Sequence, residues 1–307
     1  MIFSDSLTGY LGGGRMISVG QGNGQYQFTH ETVLYRTEDQ GKSWTKISID
    51  YRGSIDRIFS FDKTLVALLQ DVTSDSVYIL KTQNNGENWE QMFSTSKENY
   101  IREIKFTDPD NGFIVSDNRN NSFLLKLHNN NLDTILNLPN NSYHYKIVGN
   151  KLFSLIPEKS TANSTGVLIT NIETFESKEI DFNQPRYVTS LTSDEKHLYV
   201  AVSNKSSGEI LKVSDGDIEI ITLGDYSNYQ PDRVFANGNT ILAFANRQKD
   251  VALLGVIHNL LVSIDNGQTW ALEEIPNPMY LKPATAYRDI FLMTYCGTGN
   301  FQIRQMR

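Results

Sequence analysis

One cysteine, a deficit of basic residues and no long apolar run set the first limits on this 307-residue chain. Cys296 stands alone, which excludes an internal disulfide and any cysteine-based metal cluster. Lys and Arg total 28 against 35 Asp and Glu, a net charge of -7, so no electrostatic footprint for nucleic acid is present. The longest apolar run, Val251 to Val262, is broken by His258 and Asn259 and falls short of the ~20 residues a membrane-spanning helix needs. The N-terminus lacks a basic stretch followed by an apolar one, so no signal peptide is expected within it. That places the protein in the cytoplasm if Met1 is the native start, and in the periplasm or outside the cell if a leader was removed.

Familiar ligand motifs are also missing. Gly20-Gln21-Gly22-Asn23-Gly24 lacks dinucleotide spacing and reads as a flexible loop between strands. Asp108-Pro109-Asp110-Asn111-Gly112 is too short for a calcium loop and lacks its distal Glu, so it reads as a hairpin turn. Histidines 30, 128, 144, 197 and 258 show no metal-ligand spacing. No cofactor and no metal are expected. Helical periodicity is absent too: nearly every segment reads as a short strand bounded by Asn, Gly, Ser or Asp.

What the chain does have is an internal repeat. All three tryptophans close the same eight-residue pattern: Thr37 to Trp44, Thr82 to Trp89 and Ser263 to Trp270. Each follows an apolar run, which gives strand, glycine turn, strand. Asp39, Asn84 and Asp265 hold the third position, where a short polar side chain hydrogen-bonds its own turn. Gly41, Gly86 and Gly267 supply positive φ at the fifth, and Trp44, Trp89 and Trp270 staple the hairpin to the next layer. A second recurrence pairs Phe3-x-Asp5-x-x-x-Gly9-Tyr10 with Phe106-x-Asp108-x-x-x-Gly112-Phe113.

The eight-residue pattern resembles the Asp-box, or BNR repeat, of sialidase-like β-propellers, S-x-D-x-G-x-T-W. The third copy matches it at every fixed position, whereas the second carries Asn84 for Asp and Asn88 for Thr, a turn kept for shape. The Phe-Asp-Gly recurrence is similar to the first hairpin of propellers like photosystem II stability and assembly factors. The resemblance implies an all-β fold, a single propeller of seven blades of mainly four antiparallel strands, with a short last blade. Trp44 and Trp89 lie 45 residues apart, and the 181 residues from Trp89 to Trp270 hold about four such periods. One copy between them, Leu211 to Asp217, keeps the turn and loses the tryptophan. The expected blades are 1–50, 51–97, 98–138, 139–181, 182–223, 224–276 and 277–307, one domain over 1–307. Two points stay open. Asp232–Ala236 is either an inner strand or part of an insertion, and Met1–Asp5 either closes the last blade or leaves it with three strands.

Catalytic members of that superfamily carry an arginine triad, a Tyr–Glu pair, an Asp acid/base and a Phe/Tyr-Arg-Ile-Pro signature. The nearest approaches here, Tyr51-Arg52-Gly53-Ser54 and Gln184-Pro185-Arg186-Tyr187, are not that signature, so the resemblance implies fold without catalysis. A different periodicity points to binding. Tyr51, Tyr100, Tyr143, Tyr187, Tyr229 and Tyr280 recur near the blade period where an outer strand crosses to the next inner strand, accompanied by Arg52, Arg102, Arg186 and Arg233. In a propeller those crossings surround the mouth of the channel, opposite the Asp-boxes. Tyr and Arg are the residue types enriched at interface hot spots; the competing reading is strand-starting tyrosines packed between blades. Gly12 to His30, with Arg15, Tyr26 and Phe28, and Pro157 to Gly166 read as long loops that could wall a cup over that face. The function expected is a non-catalytic propeller that binds a partner protein through the channel-mouth face, in a toxin-neutralising (immunity) or assembly role, with no nucleic acid and no membrane span. The alternative is a glycan-active protein, a sialidase-like hydrolase or a lectin, using arginine for acidic sugars and tyrosine for stacking.

Overall fold

The computed structural model describes residues 2–22, 25–71, 73–118, 121–139, 144–159, 161–203, 207–247, 259–273, 281–283, 291–296 and 301–306. These residues form 26 strands and a single 3-10 turn at Gly224–Tyr226. The chain divides into two compact units, one mainly Met1–Leu138 and the other mainly Pro139–Lys282.

The first unit holds three antiparallel sheets, each with its four strands in sequence order. The first comprises β1 (Ile2–Phe3), β2 (Gly9–Gly22), β3 (Gln25–Thr37) and β4 (Thr45–Ile47). The second comprises β5 (Ser54–Phe61), β6 (Thr64–Asp71), β7 (Ser76–Thr82) and β8 (Glu90–Ser96). The third comprises β9 (Tyr100–Asp108), β10 (Asn111–Asp117), β11 (Ser122–His128) and β12 (Asn131–Leu138). The apolar run of β6, Leu65-Val66-Ala67-Leu68-Leu69, follows from burial on both faces. Leu65, Ala67 and Leu69 join the core with Tyr10, Leu34 and Leu80, while Val66 and Leu68 join Ile104, Phe106 and Ile114. Period-two alternation therefore sorts side chains between two cores instead of between core and water.

The second unit repeats this logic. β13 (Tyr145–Val148), β14 (Lys151–Pro157), β15 (Ser164–Asn171), β16 (Ser177–Ser193), β17 (Leu198–Ser203), β18 (Gly208–Val213) and β19 (Ile218–Thr222) form one seven-stranded sheet. β16 closes the first half, pairing with β15, and runs on for 17 residues to open the second half by pairing with β17. β20 (Tyr229–Asn237), β21 (Thr240–Arg247), β22 (Asn259–Ser263) and β23 (Ala271–Glu273) make a four-stranded sheet. In β17, Leu198, Val200 and Val202 face one core and Tyr199 and Ala201 the other. Asp232–Ala236 thus lies in β20, the first strand of its sheet. A three-stranded sheet of β24 (Leu281–Pro283), β25 (Phe291–Cys296) and β26 (Phe301–Met306) completes the described residues.

One open point is decided and one expectation is corrected. Ile2 and Phe3 pair with Tyr10 and Gly9, so the N-terminal strand belongs to the first sheet, and among the described residues the sheet of β24–β26 has three strands. The segment from Gly12 to His30 is no loop: β2 and β3 pair continuously in a bulged hairpin from Gly9↔Thr37 to Gly22↔Gln25. The run of glycines, which in sequence marks a loop, has a packing cause instead. A Cβ on Gly12 would lie 2.7 Å from Ile55 Cγ2 and from Ile58 Cδ1, and one on Gly14 would lie 2.8 Å from the Gly53 carbonyl oxygen. Thr32, opposite Gly14, donates its hydroxyl to the Tyr51 carbonyl oxygen at 2.5 Å. From Gly13↔Val33 outward no third strand joins the ribbon among the described residues, about 30 Å of two-stranded arm at ~3.3 Å per residue.

Candidate interaction surface

The two ends of the sheets differ in chemistry. At one end of three of them, β1–β4, β5–β8 and β20–β23, the third and fourth strands join through a tryptophan turn. Thr37 Oγ1 donates to Asp39 Oδ1 (2.8 Å) and accepts from the Gly41 amide (2.8 Å), while the Ser43 amide and hydroxyl donate to Asp39 at 2.8 and 2.6 Å. Thr82, Asn84, Gly86 and Asn88 repeat the backbone part of that network, and Ser263, Asp265, Gly267 and Thr269 repeat all of it. Two successive residues have positive φ in each turn: Gln40 and Gly41 (65° and 85°), Asn85 and Gly86 (57° and 96°), Asn266 and Gly267 (58° and 84°). The indole N–H groups of Trp44 and Trp89 donate to their own Gly41 and Gly86 carbonyls at 3.0 and 3.1 Å, whereas Trp270 reaches the Thr222 carbonyl of β19 at 3.0 Å. Hydrogen bonds from the Ser43 and Thr269 hydroxyls and amides hold the Asp39 and Asp265 carboxyls down to about 2.

The same end carries the turns between first and second strands. Phe3 pairs with Gly9 and Phe106 with Gly112, and a Cβ on Gly9 would lie 2.8 Å from the Phe3 ring. Asp5 accepts the Leu7 and Thr8 amides at 2.7 and 2.8 Å. Sequence reasoning missed a third copy, Asp194, because it has neither the Phe nor the Gly. It accepts the Lys196 and His197 amides (2.7 and 2.6 Å), His197 Nδ1 (3.1 Å) and the buried Tyr199 hydroxyl (3.0 Å). Burial opposes ionisation of Asp194, and these bonds outweigh it, so its carboxyl sits below the usual range. A polar cleft of about 480 Å³ lies between the first two tryptophan turns, lined by Arg36, Asp39, Lys46 and Asn85 among others. Among the described residues no group of three His, Cys, Asp or Glu side chains could hold a metal ion.

At the opposite end the first strands begin, and there four of the described ones carry a β-bulge. The extra residue is Asp56 in β5, Arg102 in β9, Thr189 in β16 and Asp232 in β20. Bulges twist a strand and re-aim its side chains. Bonds between neighbouring first strands gather at this level. In the first unit Arg57 donates to Glu103 (2.8 Å) and to the Arg102 carbonyl (3.1 Å); in the second Thr189 donates to the Pro231 carbonyl (2.6 Å).

The tyrosines and arginines expected at this end fall into three groups. Tyr100 and Tyr187 are 51% and 52% exposed and occupy equivalent register positions, opposite Asp117 and Ser203, the last residues of β10 and β17. The Arg102 guanidinium lies 4.5 Å from the centroid of the Tyr100 ring, and its Nε donates to Asp117 at 2.5 Å. Arg52 and Arg233 are exposed. A second group is packed away: Tyr229, 7% exposed, lies edge-on to Tyr226, and half-buried Tyr51 is tilted against Tyr78. The Arg186 side chain is 13% exposed and paired with Glu209. Tyr143 and Tyr280 lie outside the described residues. Sequence reasoning missed Arg57, Glu103 and Asp117. Opposite charges set between isoleucines near the start of a strand, Ile55-Asp56-Arg57-Ile58 and Ile101-Arg102-Glu103-Ile104, are the signal that could have found Arg57 and Glu103.

No family model and no curated protein matches the chain. Solved structures do. One described as YCF48 bound to D1 peptide gives a TM-score of 0.63 at 13% identity, covering 95% of this chain and 87% of that one. The β-propeller domain of the Trilobed protease from Pyrococcus furiosus, with an open velcro topology, gives 0.59 at 10% identity over 94% and 89%. An acylaminoacyl peptidase from Pyrococcus horikoshii gives 0.62 at 10% identity over 92% of this chain and 48% of the enzyme, about half its length. The chain has the fold of a β-propeller; likeness at such identity carries fold and no activity.

Proposed function

We propose that the chain is a seven-bladed, non-catalytic propeller, built on Asp-box turns, that binds a polypeptide at the end where its first strands begin. The observation that carries this reading is the pair Tyr100 and Tyr187, half-exposed at equivalent positions of their sheets. Tyrosine combines contact area with a polar tip, the combination enriched at interface hot spots. The similar propeller YCF48, solved with a bound D1 peptide, supports a polypeptide ligand for this architecture. A toxin to be neutralised and an assembly client would both be held this way.

Affinity capture from the native lysate, run with the wild-type chain and with Tyr100→Ala/Tyr187→Ala, tests the proposal. A stoichiometric protein retained by the first and lost from the second is expected. Equal retention by both, or turnover of a sialoside or glycoside panel by the purified chain, would overturn it.

A further inference from the structure

Resting on the polypeptide-binding reading, we infer that Arg102 is a receptor for a carboxylate of the bound polypeptide, an Asp or Glu side chain or a free C-terminus. Two neighbours fix this guanidinium: its Nε donates to Asp117 (2.5 Å) and its Cζ lies 4.5 Å from the centre of the Tyr100 ring. The backbone beneath is held as well, since the Arg102 carbonyl, freed from the ladder by the bulge, accepts from Arg57 (3.1 Å). Arg57 is anchored in turn on Glu103, whose side chain is only 6% exposed. With Nε engaged, the remaining edge of the guanidinium is the two terminal nitrogens, which bond no described residue. The side chain is 33% exposed, and Tyr100 beside it 51%.

That geometry differs from an arginine whose work is internal. Tying β9 to β10 needs one bond, and Nε to Asp117 makes it. A paired terminal edge, immobilised before any ligand arrives, matches the two oxygens of a carboxylate. Prior immobilisation also spares the rotamer entropy that a free arginine loses on binding. Asp117 and Glu103 balance Arg57 and Arg102 in charge, so the site does not attract anions broadly. It rewards one carboxylate in one orientation, with the Tyr100 ring covering the carbons behind it.

The test is selection from a displayed library of random twelve-residue peptides, half with free and half with amidated C-termini, against the wild-type chain, Arg102→Lys and Arg102→Gln. Circular dichroism and thermal midpoints serve as the folding control. The expected peptides, identified by their loss of binding to Tyr100→Ala/Tyr187→Ala, share an Asp or Glu at one position or require the free terminus. Their affinity should fall about 10-fold or more in both Arg102 variants, Lys failing because it keeps the charge and loses the paired edge. Peptides that bind in a Tyr100-dependent way without an acidic requirement, or equally well to Arg102→Lys, would overturn the carboxylate assignment and leave the polypeptide-binding reading standing. A library that yields no Tyr100- or Tyr187-dependent binder would overturn both.

Discussion

Three consecutive glycines with unlike surroundings offer an internally controlled test of how the β2–β3 arm is rooted. Gly12, Gly13 and Gly14 are all extended strand residues, so replacing any of them with alanine removes a similar amount of unfolded-chain freedom, worth about 0.4–1 kcal/mol in favour of the fold. The packing terms differ. Nothing lies within 4 Å of a Cβ on Gly13. On Gly12 the new methyl meets Ile55 Cγ2 and Ile58 Cδ1 at 2.7 Å, side-chain ends that can shift. On Gly14 it meets Ser54 Cβ at 2.7 Å and the Gly53 carbonyl oxygen at 2.8 Å, backbone that cannot. Overpacking of this kind costs about 1–3 kcal/mol. Gly13→Ala should therefore be neutral to slightly stabilising, Gly12→Ala intermediate, and Gly14→Ala worst. At about 2–4 °C per kcal/mol, calorimetry should separate the first from the last by several degrees. Because the unfolded-state contribution cancels between neighbours, equal midpoints for Gly13→Ala and Gly14→Ala would refute close approach as the reason for the glycine run.

Two further outcomes are expected. The Asp39 and Asp265 carboxyls, held down to about 2, contribute stability that is complete above their ordinary value of 3.8 and disappears as pH falls from there through about 2. Asp39→Asn/Asp265→Asn should flatten the fall of the thermal midpoint over that window relative to wild type, and an unchanged slope would count against these hydrogen bonds. Tyr187→Ala should shift stability by no more than about 0.5 kcal/mol in urea titration, as an exposed substitution does. Tyr229→Ala should cost about 3–5 kcal/mol, like removal of other large buried rings, and equal effects would contradict their opposite burial.

The tryptophan turns were legible in the sequence because each is closed within its own eight residues by hydroxyl, carboxylate or amide, and glycine; only the Trp270 indole reaches outside, to Thr222. The Phe3–Gly9 and Phe106–Gly112 pairs were legible for the same reason, a ring lying over a residue without a side chain. Asp194 escaped notice since its turn draws on His197 and Tyr199 in place of Phe and Gly. The tyrosine period was visible, but the exposure of each was not. Tyr229 is buried by a core that includes Tyr199 and Leu261, far off in sequence, as well as by nearby Tyr226, whereas Tyr187 is left open. Bulges are nearly as silent: the extra residues Asp56, Arg102, Thr189 and Asp232 are all polar, but many unbulged strand residues are too, because two-against-one pairing is a property of the partner strand as well. The glycine run misled for an instructive reason. Absence of a side chain looks the same whether the backbone needs freedom or a neighbour needs the space.

β16 serves both halves of the seven-stranded sheet with one uninterrupted backbone. A strand that slips by one residue turns every side chain to the wrong face, and in β16 such a slip would be charged against β15 and β17 together. The two halves of the seven-stranded sheet therefore police each other's register, and the connection that in sequence reads as a mere crossing acts as a ruler shared between them.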